Sequence, residues 1–543
     1  MRTESAGRGG LLGSAAIAVA MVAAAPILVV ALLAVAPGMQ TWSHLASTVL
    51  PGYVGNTLAL MAGVAIGVVL LGVPSAWLAS MFRFPGSRLF DWALILPLAM
   101  PAYVIAYGYT DLLQFSGPVQ RGLRSLTGWR AGEYWFPEVR STGGAIAMFS
   151  LVLYPYVYLL ARAAFVTQAA NLIEAGRLLG RGAWGTFVRI ALPLARPGIA
   201  AGVSLALMET LADFATVSYF GVQTFTTGIY DAWLSLSDLA AAAQLSMALL
   251  GFVVLVLALE RINRGNARYQ NVAARAVSAR SELHGRRAAC AALACAFPVL
   301  FGFLVPALAL ALLAAEGSAV LLSQRFGELV RNSFFLAALT SIAAVALALL
   351  LAYAARLSRS AWVTGANRLA GLGYALPGAV IAVGILVPVS RFDNLLADWL
   401  ESAWGLKTGL LLTGSVAALV YAYLVRFLAI ALQSVEAGLA KIHPGMEDAA
   451  RSLGLPPAKI LARVHAPMLR GSLLTAALLV FVDVMKEIPA TFMMRPFNFD
   501  TLAVQAYNYA ADERLAEAGA ASLVIVSVGL VPVIGLARAM SRR

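Results

Sequence analysis

An all-α polytopic membrane protein of about twelve transmembrane helices, in two homologous six-helix halves, is the fold class that three observations predict. The first is composition: 543 residues, 61% hydrophobic, 12% charged and a mean hydropathy of +0.82, far from a soluble globular domain. The second is the recurrence of apolar stretches long enough to cross a bilayer, which takes roughly 20 residues each. The third is an internal repeat at an offset close to half the chain.

The apolar stretches fall near 13–36, 55–80, 90–112, 143–163, 197–219 and 241–260, then 288–314, 332–355, 369–390, 408–431, 470–493 and 517–538. Loops rich in Lys and Arg stay on the cytoplasmic side. With the N-terminus inside, most of the 39 Lys and Arg residues fall in inner loops or at inner span ends, so both termini are expected in the cytoplasm. The outer loop from Gln120 to Arg140 carries four Arg, but Glu133 and Glu138 offset them in part. Arg2 and Arg8 ahead of the first apolar run would also suit a cleaved leader. That run is longer than a leader's, about 7–15 residues, and further spans follow, so it reads as the first span.

The formal charge of +13 does not point to nucleic acid, because the Arg residues are spread over successive loops and form no stripe with interleaved aromatics. Cys290 and Cys295 both lie in an apolar span and read as small hydrophobes. His44, His284, His443 and His465 read as lying outside the spans with no metal-ligand spacing, which leaves no constellation for a membrane-embedded enzyme.

Matching the chain against itself gives an offset of 274 residues. Glu174-Ala175-Gly176, Gly180 and Ile190-Ala191-Leu192-Pro193 answer to Asp448-Ala449-Ala450, Gly454 and Val464-His465-Ala466-Pro467. Glu209 and Asp213 fall on Asp483 and Glu487, and Ala215-Thr216 matches Ala490-Thr491 with one extra residue. Asn56-Thr57 answers Asn332-Ser333, and Leu96-Pro97 answers Leu376-Pro377. Residues 1–262 and 287–543 therefore read as two halves. An even number of spans in each makes them run the same way, related by a pseudo-twofold along the membrane normal. Between them the basic, aperiodic segment 263–286, flanked by Arg261 and Arg287 and holding Arg264, Arg268, Arg275, Arg280 and Arg286, reads as a cytoplasmic linker. An anchor for topology explains it better than lipid-headgroup binding.

The repeated loops 168–196 and 440–469 are too polar to span and sit inside by the charge bias. Each opens with a helix-compatible stretch holding an acid and small residues, reaches a Gly suited to positive φ, continues as an amphipathic stretch and stops at Pro. That pattern predicts a helix, a turn and a second helix. Small residues beside the acid let another surface come close, and the carboxylate offers an ionic contact.

The spacing Glu-Ala-Ala, three residues, Gly, nine residues, Ile-x-Leu-Pro resembles the signature loop of binding-protein-dependent ABC importer permeases. The first copy departs in Gly176; the second has Asp448 for Glu, Val464 for Ile and Ala466 for Leu. The resemblance implies that Glu174, Ala175, Gly176 and Gly180 contact one ABC ATPase subunit and that Asp448, Ala449, Ala450 and Gly454 contact a second copy. A Walker loop needs Gly-Lys followed by Ser or Thr. Lys407, Lys441, Lys459 and Lys486 are the only lysines and none follows Gly, so no cofactor is expected in this chain, and ATP and Mg²⁺ belong to the partner ATPase.

The chain is most similar to the fused ferric-iron permeases, through Tyr134 to Arg140, Ser150 to Tyr158, Asp483 to Glu487 and Phe497 to Ala503. That resemblance implies a bacterial inner-membrane permease moving ferric iron inward by alternating access, with a periplasmic ferric-binding protein as a further partner. Permeases for thiamine, polyamine, sulfate or phosphonate share the loop, and an ion-gradient secondary transporter would also show twelve spans in two halves.

Ionisable groups at membrane depth are costly and commonly face a cavity or a partner. Glu209 and Asp213 on one span, with Asp483, Lys486 and Glu487 on its counterpart, form an acidic excess that would suit a cationic substrate. Equally, Lys486 could pair with Asp483 or Glu487, leaving all five as structural ion pairs. Pro97, Pro101, Pro155, Pro377 and Pro489 are expected within spans, as kinks or hinges.

Overall fold

The computed structural model describes residues 2–35, 44–45, 47–130, 132–178, 182–264, 280–358 and 360–541. Among these, 11 helices are long and apolar enough to cross a membrane, and a pair bent by 92° between Ala99 and Ala102 brings the number to 12. The chain is thus an all-α polytopic membrane protein.

In chain order the principal helices are α1 (Arg2–Ala34), α2 (Leu50–Met81), α3 (Ser87–Ala93), α4 (Ala102–Leu113), α5 (Thr142–Leu178), α6 (Leu192–Ala212), α7 (Ala215–Tyr219), α8 (Leu239–Arg264) and α9 (Gly285–Val299). They continue as α10 (Val305–Glu316), α11 (Gln324–Leu357), α12 (Gly378–Trp404), α13 (Val416–Leu439), α14 (Pro444–Ser452), α15 (Ala466–Met485), α16 (Pro489–Met494) and α17 (Leu515–Ser541).

Several spans differ from their sequence reading: the expected 90–112 is broken between Ala99 and Ala102, the expected 408–431 runs Val416–Leu439, and the expected 470–493 ends at Met485. The expected 197–219 ends at Ala212, where Asp213 takes extended backbone and the short α7 begins. The expected 369–390 starts only at Gly378, because Gly373–Ala375 form a 3₁₀ turn and Pro377 is the N-cap. Hydropathy cannot detect such breaks, since the residues on either side stay apolar. Proline explains most of them. Pro101 and Pro377 are N-caps and Pro489 opens α16, where a missing N–H costs nothing. Of the five expected inside spans, only Pro155 sits within a helix, and Pro97 lies in a 3₁₀ turn. His465 is a further correction: it lies inside the span Leu461–Met485 and is fully buried.

The chain forms two compact units. One consists of Met1–Ser43, Ile229–Leu250 and Ser323–Gln505. Here α11, α13 and α15 pack pairwise into a triangle, and α1 lies on α11, α12 and the helix Ala361–Ala370. A Cβ on Gly384 of α12 would stand 2.4 Å from the Pro26 carbonyl oxygen, so only glycine admits α1 that closely. The carboxylate of Asp393, fully buried on α12, accepts the N–H groups of Leu411, Leu412 and Thr413 at 2.8, 2.8 and 2.6 Å, fastening the loop ahead of α13. Asp393→Ala strands these donors and is expected to cost about 3 kcal/mol. Faster proteolysis between Gly405 and Gly414 is the readout; cleavage at the wild-type rate would count against this role.

The other unit consists of His44–Gly228, Gly251–Leu322 and Ala506–Arg543. Its triangle is α2, α5 and α6, while α9 packs on α2, and α10 packs on α4 and α17. Trp77 meets Phe165 edge-on at 5.3 Å and Phe187 at 5.0 Å, closing the end of the triangle with aromatic bulk. Two residue pairs break the all-helical pattern: β1 (Phe82–Arg83) pairs in parallel with β2 (Ser281–Glu282). Beside them Asp91 binds Arg162 at 2.9 Å and Arg280 at 3.2 Å, tying the end of the basic segment to this unit. Arg268 and Arg275 lie outside the described residues.

Candidate functional site

The polar groups cluster in two places, the 440–469 elbow and the breaks after α6 and α15. The elbow begins at α14, where His443 Nδ1 accepts the Gly445 N–H at 3.1 Å and Pro444 opens the helix. It turns at Gly454, whose φ of 77° is open to glycine but strained for side-chained residues. Helix resumes over Pro457–Ile460. The expected helix, turn and helix are all present. Asp448 and Ala449 are exposed and Ala450 is buried, so the acid and one small residue face outward. Arg451 reaches Asp448 at 3.6 Å, an exposed pair of little weight.

The second helix does not stop at proline, contrary to expectation. A π-helical turn, Leu461–His465, runs directly into α15 with Pro467 in its first turn, and Phe187–Ala191 does the same ahead of Pro193. The wider i→i+5 turn makes room for a ring that would clash with the i−4 carbonyl of a regular helix. Both π turns sit at the 274-residue offset. In the first elbow, Glu174, Ala175 and Gly176 lie on the helical backbone of α5, and Gly180 lies outside the described residues.

Directly beside Asp448, Glu447 is buried, pairs with two arginines and stands beside an imidazole. Arg356 at the end of α11 pairs through Nε with its Oε1, His465 Nε2 stands 3.2 Å from Oε1, and Arg451 lies 3.4 Å from Oε2. Arg356 also donates to the carbonyls of Leu439 and, at 2.7 Å, Ile442, which close α13. The Tyr353 ring of α11 meets the His465 ring edge-on at 5.3 Å. Sequence reasoning missed this node, because its members are separated by long stretches of chain and only the presence of a second acid beside Asp448 hinted at it.

At the breaks, Asp213 and Glu487 do the same job. Asp213 Oδ1 accepts the Thr216 N–H at 2.8 Å and Oδ2 the Thr216 hydroxyl at 3.0 Å. Glu487 accepts the N–H groups of Ala490 at 2.8 Å and Thr491 at 3.0 Å. Each carboxylate thus caps the short helix that follows its broken span, satisfying donors that lipid could not. Glu487 also binds Arg426 of α13 at 3.2 Å, both side chains buried, and Lys486 pairs with Asp483 at 2.8 Å. Glu209 lies on α6, one turn before the break. Much of the expected acidic excess is therefore engaged within the chain. Arg426, an arginine alone in an apolar run, was the legible but unused sign of its pairing. Among the described residues no three His, Cys, Asp or Glu side chains are placed to hold a metal ion.

Breaks capped by acids, within helices of membrane-spanning length, make this a polytopic membrane protein with interrupted spans. Comparison places it further. The family model of the binding-protein-dependent transport system inner membrane component matches residues 67–266. The Fe(3+)-transport system permease protein FbpB 2 of Haemophilus influenzae is 26% identical over 493 residues, spanning 88% of each chain. The molybdenum transport system permease protein ModB of Escherichia coli is 33% identical over 167 residues, 30% of this chain and 67% of that protein. A probable molybdenum ABC transporter permease of Haloferax volcanii is 31% identical over 204 residues, 37% of this chain and 69% of its own. The chain belongs to the inner-membrane component family of binding-protein-dependent transport systems. It is an ABC-type permease, and its relatives are permease components and not catalytic subunits.

Proposed function

We propose that this chain is the transmembrane permease subunit of an ATP-driven importer that takes ferric iron from a periplasmic ferric-binding protein and releases it in the cytoplasm by alternating access. Two copies of an ABC ATPase, which hold ATP and Mg²⁺, dock on the elbows. One contact is Glu174, Ala175, Gly176 and Gly180; the other is Asp448, Ala449, Ala450 and Gly454. Residues 1–262 and 287–543 are the two permease halves, 263–286 is their linker, and both termini are cytoplasmic.

The observation that carries the substrate is coverage: similarity to the Fe(3+) permease runs through 88% of both chains, whereas similarity to the molybdenum permease of Escherichia coli covers 30% of this one. The outward-facing Asp448 and Ala449 support the docking role, since an acid beside a small residue suits a close ionic contact. The higher local identity to molybdenum permeases, 33%, favours a second reading in which the cargo is an oxyanion. Asp213, Asp483, Lys486 and Glu487 act mainly as caps and ion pairs within the chain and not as ligands of the cargo, and Glu209 lies one turn before the break after α6.

Proteoliposomes holding the permease, its ATPase and its binding protein decide between them. ATP-dependent uptake of labelled ferric iron, absent with molybdate or thiamine, is expected. Uptake of molybdate without iron would replace ferric iron as the cargo, and uptake driven by an ion gradient without ATPase would overturn the importer itself.

A further inference from the structure

Helices α11, α13, α14 and α15 meet at the node around Glu447. Through one buried carboxylate and the guanidinium facing it, α14 is held to the end of α11 and to the carbonyls of Leu439, which ends α13, and Ile442 just past it, while the His465 ring of the π turn that starts α15 stands 3.2 Å from the carboxylate. Those three spans are the triangle at the centre of the unit. The fork of Arg356 cannot slide: one edge engages the carboxylate while its two terminal nitrogens engage two separate carbonyls, which fixes direction as well as distance.

The same positions in the first elbow carry no such chemistry. At the 274-residue offset Glu447 answers to Ile173 and His465 to Ala191, so the carboxylate and the imidazole are both replaced by apolar side chains. Asp448 and Glu174, by contrast, keep a carboxylate in both elbows. One acid recurs and faces outward in the elbow where it is described; its neighbour occurs once and faces inward.

We propose that Glu447 is a positioning residue that transmits movement of the second elbow to α11, α13 and α15, a role for which the first elbow carries no acid at the corresponding position. This rests on the reading of the elbows as ATPase contacts. A buried pair with satisfied partners resists separation because parting it leaves an uncompensated charge where water cannot reach. Displacement of α14 is then followed by the spans before the node opens.

The test uses the whole complex in proteoliposomes. E447Q keeps the volume and removes the charge; solute moved per ATP hydrolysed is expected to fall about tenfold, within the usual range of coupling between sites, while the ATPase still co-purifies and turns over. Spin labels at Met446→Cys and Ser358→Cys, with Cys290 and Cys295 replaced by Ser, report α14 against the end of α11. Their separation is expected to stay constant on ATP addition in the otherwise wild-type chain and to change in E447Q.

An unaltered coupling ratio in E447Q overturns the proposal, as does a separation that already varies without it. If E447Q does not assemble, R356K decides: lysine keeps the charge but loses the fork, and a wild-type ratio there is equally fatal. Charge reversal of Glu174 and Asp448 separates the two levels. If those reversals uncouple and E447Q does not, only the Glu447 assignment fails; if neither uncouples, the elbow reading fails with it.

Discussion

Replacing Arg426 by leucine is expected to destabilise the permease by about 3–5 kcal/mol, the cost of leaving one member of a buried pair without its partner. Glu487 has 2% of its side chain exposed and lies 3.2 Å from the guanidinium. Without that cation its carboxylate keeps the N–H groups of Ala490 and Thr491 but has no compensating charge. Denaturation in mild detergent should show the loss, and the double variant Arg426→Leu, Glu487→Gln should recover part of it, since a neutral amide removes the uncompensated charge and its single oxygen can still accept one of those N–H groups. A single variant as stable as wild type would mean that the pair contributes nothing.

The second large effect is on activity. Reversing charge at Glu174 and Asp448 together to lysine is expected to lower ATP-driven uptake at least about tenfold, in the range of coupling energies between distant sites, with little change in stability. Asp448 has 71% of its side chain exposed and one weak arginine neighbour, so substitution there should move the unfolding free energy by about 0.5 kcal/mol or less. The diagnostic pattern is continued ATP hydrolysis without uptake, or loss of the ATPase from the purified complex. Wild-type uptake in the double variant would remove the elbows from the account.

Much of this architecture was legible from one sequence because a bilayer leaves few alternatives: backbone polar groups must be satisfied inside each span, so apolar length reports helices directly. The elbow around Gly454 was legible for a local reason, a glycine at a turn between two helix-compatible stretches. What stayed hidden was set by distant partners. The ends of α6 at Ala212 and of the turn before Gly378 depend on Asp213 and on the prolines, and an apolar window averages over both. Arg356, Glu447 and His465 carry no joint signature, being separate in the chain and brought together only by α11, α14 and α15. His465 even reads as a loop residue, because the π turn that draws it into a span is invisible to hydropathy. The packing of α1 also escaped notice, since a repeat says which segments are alike and nothing about which segments touch.

That last arrangement has a consequence for biosynthesis. The opening helix packs mainly on helices made after Gln324, and the Gln244 side chain, which donates to the Ala34 carbonyl at 3.5 Å, is an earlier neighbour. While the ribosome is still working through the intervening chain, α1 must wait in lipid with its glycine-matched face bare, and α9 and α10 must be made before the unit around α2 is covered. A nascent product halted near residue 262 would therefore hold one helix without most of its seat and one triangle without its cover, the kind of half-made membrane protein that quality-control proteases remove.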